Sequence, residues 1–128
     1  MNEISFELLG KKYDLYFGMD AYEIIVDRQL EDAFNNTGST FKACSYVIFG
    51  GLVNNAIIER LTRPSYKEAY KLTENIFLHG EDLQNRIFDI YNSSVANDLL
   101  KKAVDNVTGN KKKVEGLPKK ASKRAGTK

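Results

Sequence analysis

The chain has 128 residues, 42% of them hydrophobic and 28% charged, which favours one compact globular domain over a disordered or fibrous chain. One cysteine and one histidine are too few for an internal disulfide bond or a Cys/His metal site. The most apolar stretch, residues 43–58, is interrupted by polar residues and is shorter than the roughly 20 apolar residues that span a bilayer. The first residues alternate polar and apolar instead of forming a signal peptide. We therefore expect a cytoplasmic protein without a membrane segment.

Charge is divided unevenly along the chain. Residues 1–107 contain 11 basic and 16 acidic side chains, a net charge of −5, whereas residues 108–128 contain 8 basic and 1 acidic, a net charge of +7. The basic end has too little apolar surface to offset the entropy of ordering. These patterns predict one folded domain over residues 1–107 and a disordered lysine-rich tail over residues 108–128.

The start of the chain has the pattern of two strands. Apolar residues occupy every second position from Ile4 to Leu8 and again from Tyr13 to Phe17, the period of a strand with one buried face. Gly10 and Lys11 supply a short turn between them. A β-hairpin over residues 3–17 is therefore predicted.

The next two segments have apolar residues at helical spacings of three and four. The first helix runs from Met19 to Phe34 and ends in a loop rich in Asn, Gly and Ser. The second runs from Thr40 to about Leu61 and is apolar or Gly on all sides in its middle, so we expect the domain or another subunit to cover it on several sides. Gly50-Gly51 within it indicates either a close helix–helix approach or a local break.

Two further helical patterns complete the chain. Ser65 followed by Glu68 has the spacing of a capping box and predicts the start of a third helix, which Gly80 ends. A fourth pattern extends from Leu83 to about Val107 and is weakened at residues 92–94. The predicted fold class is α+β: an N-terminal β-hairpin packed on a bundle of about four α-helices, with a disordered basic tail.

The sequence contains no motif typical of catalysis or cofactor binding. It contains neither the GxxxxGK[ST] nor the GxGxxG phosphate-binding pattern, and it has no calcium-binding loop. The sequence has no nucleophile motif whose side chain His79 could activate. His79 occupies the last turn of a predicted helix, where it can interact with the helix dipole. Cys44 lies on an apolar helical face and is expected to be a small buried side chain. We therefore expect no enzyme activity, no metal and no cofactor.

The basic tail has two interpretations. Its lysines could neutralise nucleic-acid phosphates, with strong salt dependence. The residues concerned are Lys111, Lys112, Lys113, Lys119 and Lys120. The other interpretation is a flexible solubilising extension or linker, which the absence of aromatic residues for base stacking favours.

Two segments resemble the tail assembly chaperones of long-tailed bacteriophages. The stretch Leu9 to Met19, LGKKYDLYFGM, is similar to that family's GKxYxLxFG hairpin start. The stretch Tyr46 to Ala56, YVIFGGLVNNA, is similar to its apolar helix with a Gly-Leu pair. A helical second half followed by a lysine-rich end extends the resemblance in layout over residues 3–107.

This resemblance implies a non-enzymatic protein of the host cytoplasm that binds the tape-measure protein and keeps it soluble during tail assembly. It also implies self-association into a homo-oligomer, a second candidate partner in the tail-tube protein, and a longer form made by frameshifting near Asn110 to Lys113. A virion subunit that binds only itself is a third interpretation. If the resemblance holds, the partner surface lies on the hairpin and second helix, and burial in the core is the alternative for each contact. The contacts are Phe17, Tyr22, Tyr46, Phe49 and Leu52.

Overall fold

The computed structural model describes residues 2–108, so almost all of the predicted disordered tail lies outside the described residues. The described part contains two strands and five helices. In chain order they are β1 (Glu3–Leu8), β2 (Lys11–Tyr16), α1 (Met19–Asn35), α2 (Thr40–Glu59), α3 (Tyr66–His79), α4 (Glu81–Asn92) and α5 (Val95–Thr108). The fold is α+β, as predicted.

The chain divides into two compact units. The first comprises residues 1–98, and the second begins at Leu99 and is described only as the continuation of α5 to residue 108. The predicted domain boundary at residue 107 stays a prediction.

β1 and β2 form a two-stranded antiparallel sheet in which Leu8 pairs with Lys11. The turn therefore consists of Leu9 and Gly10, one residue earlier than predicted. Both turn residues have positive φ, 53° and 80°, as a type I′ turn requires at its two central positions. Gly10 adopts this conformation freely, whereas Leu9 is held in a left-handed conformation that disfavours its side chain.

Helix α2 is the central element of the first unit. It packs against α1, α3 and β2, and it contributes buried residues around its whole circumference, as its all-round apolar middle predicts. The largest fully buried apolar side chains are Leu15, Phe17, Ile25, Ile48, Ile76 and Ile87. The core thus lies between the hairpin and the inward faces of α1 to α4.

The glycine pair of α2 allows two close approaches. A Cβ atom on Gly50 would lie 3.0 Å from the carbonyl oxygen of Ala21 in α1, and one on Gly51 would lie 2.7 Å from the ring of Phe17. Both distances are too short for a real side chain without movement of its neighbours. The helix continues unbroken through the pair, so of the two predicted alternatives the structure shows close approach.

The first turn of α1 is capped from another helix. Its N-cap residue is Gly18, which has no side chain to accept a hydrogen bond. The Oδ1 atom of Asn54 in α2 accepts bonds from the backbone N–H groups of Gly18 and Ala21, each at 3.0 Å. A side chain 36 positions away thereby satisfies helix N–H groups that would otherwise lack a partner.

The predicted fourth helix is two helices, which corrects the expected number from about four to five in the described residues. Residues 93–94 separate α4 from α5. The hydroxyl of Ser94 donates to the carbonyl of Tyr91 at 2.6 Å and accepts from the N–H of Asn97 at 3.3 Å. Serine side chains compete for backbone groups in this way, so Ser94 ends one helix and begins the next.

Helix α2 has the length of a membrane span and a mean hydropathy of 1.3 in its most apolar window. Half of that window is buried inside the fold. An all-round apolar helix has this composition in the core of a globular domain as well as in a membrane, and the absence of a membrane segment stays a prediction.

Candidate interaction surface

Six aromatic side chains of α2 and α3 form a continuous row, which we call the aromatic row. Its members are Phe41, Tyr46, Phe49, Tyr66, Tyr70 and Phe77. Neighbouring ring centroids are 5.0 to 6.0 Å apart and most rings meet edge to face, an arrangement that adds to the stabilisation from burial. On α3 the row arises because its aromatic residues recur at spacings of four and seven, which lie on one helix face.

The row passes from the core to the surface. Tyr46 is buried, Phe49 and Tyr66 are half-buried, and Tyr70 and Phe77 are 39% and 36% exposed. At the exposed end a shallow groove of about 320 Å³ is lined by Phe41, Tyr70, Glu74, Phe77 and Leu78. This end presents contiguous aromatic surface to solvent, which is typical of interaction sites.

Arg28 of α1 lies over the inner end of the row. Its guanidinium carbon is 4.6 Å from the ring centroid of Tyr66, 4.9 Å from that of Phe49 and 5.9 Å from that of Tyr46. These distances fall within the roughly 6 Å of a cation–π contact. Within residues 2–108 the guanidinium forms no ion pair, since Lys42 and Asp32 make the pair found there.

Asp32 is one turn after Arg28 on α1, but its carboxylate is occupied by other groups. It accepts hydrogen bonds from the hydroxyls of Tyr46 and Thr37 and from the ammonium of Lys42. These donors, the Tyr46 hydroxyl first among them, hold the pKa of Asp32 below its usual value. Burial raises the pKa of Tyr46, and the hydrogen bond to the Asp32 carboxylate raises it further. Arg28 is therefore left as a half-buried cation without a carboxylate of its own among the described residues.

A second groove, of about 450 Å³, lies between β2, α2 and α3. Leu52 and Leu72 contribute apolar surface to it, and Lys11, Lys12 and Lys71 stand on its border. Glu68, which also lines it, is engaged in the capping box of α3 predicted from the sequence. The backbone N–H of Ser65 lowers the pKa of this carboxyl.

The structure places two of the five predicted partner contacts in the core. Phe17 has no exposed surface and meets Tyr91 edge to face at 5.4 Å, so a partner cannot reach its side chain in this fold. Tyr46 is 4% exposed and directs its hydroxyl to Asp32. For both residues the structure shows the alternative, burial.

The other three predicted contacts are half-buried and do not form one surface. Phe49 belongs to the aromatic row, Leu52 lines the second groove and Tyr22 lies on α1. The sequence missed the exposed end of the row, because the spacing of Tyr70 and Phe77 predicts a helix face without saying how deeply that face is buried.

The other residues singled out in the sequence for possible chemistry are His79 and Cys44. Residues 2–108 contain no group of three or more His, Cys, Asp or Glu side chains that could hold a metal ion. His79 is exposed, and burial raises the pKa of the half-buried Cys44 thiol, which makes it less reactive. The lysines proposed for nucleic-acid binding lie outside the described residues.

Comparison of the chain with protein families, with curated proteins and with solved structures gives no match. The two segments that carry the resemblance to tail assembly chaperones are nevertheless neighbours in space. Phe17 and Gly18 at the end of the first segment pack on Gly51 and Asn54 of the second. These residues therefore build the joint between the hairpin, α1 and α2.

Proposed function

We propose that this protein is a non-enzymatic phage tail assembly chaperone, which binds apolar helical segments of a tape-measure protein and keeps them soluble. The observation that carries the proposal is the aromatic row with its exposed groove at Phe77. The resemblance of residues 9–19 and 46–56 supplies the class of partner. The host cytoplasm is the compartment in which this function would operate.

The mode of binding is an amphipathic helix laid into a groove. Such partners insert side chains spaced by three, four and seven residues into an apolar surface. The face of α3 has the same periodicity, with Tyr66, Tyr70 and Phe77 along one side. A client helix lying along α3 would cover the exposed rings and shield its own apolar side chains from other clients.

The test is capture of the client by a tagged chain from the native lysate, after nuclease treatment, with identification by mass spectrometry. Phe77→Asp puts a charge into the groove and is expected to reduce the retained client by about tenfold or more. Leu9→Asp is the matched control, because Leu9 is 67% exposed at the hairpin turn and lies outside the row. Phe77 is preferred to Phe49, since Phe49 is half-buried beneath Arg28.

A long helical protein retained by the wild type and by Leu9→Asp, but not by Phe77→Asp, supports the proposal. Equal retention by Phe77→Asp contradicts the proposed surface. Recovery of nucleic acid alone, lost on nuclease treatment and weakened strongly by moderate salt, contradicts the chaperone function and favours phosphate binding by the lysine-rich tail.

A further inference from the structure

The outer face of α1 combines acidic and apolar side chains that the fold leaves exposed. Glu23, Asp27, Leu30 and Phe34 recur at spacings of four, three and four, so they lie on one side of the helix. Leu30 is 46% and Phe34 is 91% exposed. Neither carboxylate has an ion-pair partner among residues 2–108. We call these four residues the outer face.

The aromatic row has a cation at one end and a groove at the other, and the distance between them matches the length of the outer face. Arg28 lies at its Tyr66 end and the groove lies at its Phe77 end. Tyr66 and Phe77 are eleven residues apart, about 16 Å along a helix, and so are Glu23 and Phe34. When the carboxylate of Glu23 reaches a guanidinium at one end, Phe34 reaches the groove at the other.

We propose that the outer face of α1 from a second copy of this chain docks on the aromatic row. Glu23 and Asp27 of one copy face Arg28 of the other, and Phe34 enters the groove between Tyr70 and Phe77. The contact supplies a carboxylate for the half-buried guanidinium, and it covers the most exposed aromatic ring among the described residues.

Charge also sets the direction of docking. Glu74 lines the groove and would repel the carboxylates of the outer face if the helix lay the other way round. With the acidic end at Arg28, only Leu30 and Phe34 approach the Glu74 end. The incoming α1 therefore runs parallel to α3, and the reverse orientation is disfavoured by like charges.

The two surfaces lie on different sides of the same molecule. Arg28 and Asp32 point from α1 towards residues of α2 and α3, whereas the outer face points to solvent. A contact between two unlike surfaces is head-to-tail and lets each copy bind two others, which generates rings or open chains. The expected assembly is therefore not limited to a dimer.

The test uses the purified full chain, with sedimentation velocity and light scattering over a range of concentrations. The range extends to about 1 mM, so that even weak self-association is detected. The wild type and the control Leu9→Asp assemble beyond the dimer. Phe34→Ser removes the docking ring and Phe77→Asp blocks the groove, so each variant alone is monomeric. An equimolar mixture of the two gives a one-to-one heterodimer and nothing larger, because each variant retains the surface that the other lacks.

A charge exchange tests the direction independently. Arg28→Glu weakens assembly about tenfold or more. Mixing it with the double variant Glu23→Lys, Asp27→Lys restores assembly beyond the dimer, because every contact in the mixture again pairs opposite charges. A heterodimer and nothing larger shows that the exchanged contact does not form and contradicts docking at Arg28. Circular dichroism verifies that each variant is folded, and Tyr70→Ser replaces any groove variant that is not. A wild type that stays monomeric, a Phe34→Ser variant that assembles like the wild type, or a mixture that remains monomeric overturns the proposal.

This inference does not depend on the chaperone function. It concerns the chain alone, so failure of client capture leaves it intact, and failure of self-assembly leaves client binding intact. If both proposals hold, client and second copy compete for the same row, and added client dissolves the assemblies.

Discussion

At the scale of single residues, two buried tyrosine hydroxyls differ in their hydrogen bonding. Tyr46 donates its hydroxyl to Asp32, whereas the buried hydroxyl of Tyr91 has no partner among the described residues. Burial raises the pKa of Tyr91 to about 12. A buried polar atom without a hydrogen bond destabilises the fold, so the ring of Tyr91 contributes packing and its oxygen contributes a penalty.

Tyr91→Phe is expected to raise the free energy of unfolding by about 1 kcal/mol, because it removes the unpaired hydroxyl and keeps the ring against Phe17. Urea denaturation followed by circular dichroism measures the change. Tyr46→Phe is the matched control: the same substitution there should lower the stability, since Asp32 loses a donor. A loss of stability in Tyr91→Phe would show that its hydroxyl has a partner.

At the scale of elements, the joint between the hairpin, α1 and α2 depends on small residues and one amide. Gly51 admits the ring of Phe17, and Gly50 admits the backbone of α1 at Ala21. Asn54 then caps the first turn of α1 from within the core, where it is 3% exposed. A side chain on Gly18 would meet the Tyr16 ring at 2.8 Å, which explains why the cap comes from α2 and not from the N-cap residue itself.

Asn54→Leu is expected to lower the free energy of unfolding by about 2–3 kcal/mol, because the buried N–H groups of the N-cap residue Gly18 and of Ala21 in α1 lose their acceptor. Thermal and urea unfolding measure the loss. Asn55→Leu, at the half-buried neighbouring position, is the control and should change the stability much less. Equal effects at both positions would mean that the cap contributes little and that α1 is held by packing alone.

At the scale of the whole molecule, the stability of the fold at low pH depends on two carboxylates that accept hydrogen bonds in separate parts of the fold. Asp32 links α1 to the following loop and to α2, and Glu68 closes the capping box of α3. Hydrogen bonding lowers the pKa of both groups in the folded state. Their contribution to stability is therefore complete above the pKa of the unfolded chain, and it is lost as the pH falls through the folded pKa.

The free energy of unfolding should consequently decrease as the pH is lowered from about 5 to about 2. Asp32→Asn should reduce this slope, because the carboxylate whose pKa is lowered is gone. Glu31→Gln is the control, since the side chain of the exposed Glu31 makes no hydrogen bond among residues 2–108, and it should keep the wild-type slope. Urea titrations at several pH values measure both slopes, and an unchanged slope in Asp32→Asn would contradict the role of this carboxylate.

The sequence by itself determined the elements whose signals are local. Alternation at period two gave the hairpin, spacings of three and four gave the helices, and Ser65 with Glu68 gave the capping box, because each pattern depends on residues within a turn or a strand of one another. Even the break in the fourth helix had a local trace in residues 92–94. The predicted turn lies one position too late in the chain, because leucine has no sequence preference for a turn and the structure nevertheless holds Leu9 there at positive φ.

Only the tertiary structure decided which of these elements' faces are buried and which meet. The cap from Asn54 to Gly18 and the contact of Arg28 with Tyr66 join residues far apart in the chain. Phe17 became core and Phe77 became surface, although both follow the periodicity of a buried face. The physical reason is that exposure depends on the packing of neighbouring elements against each other, which no pattern within one element contains.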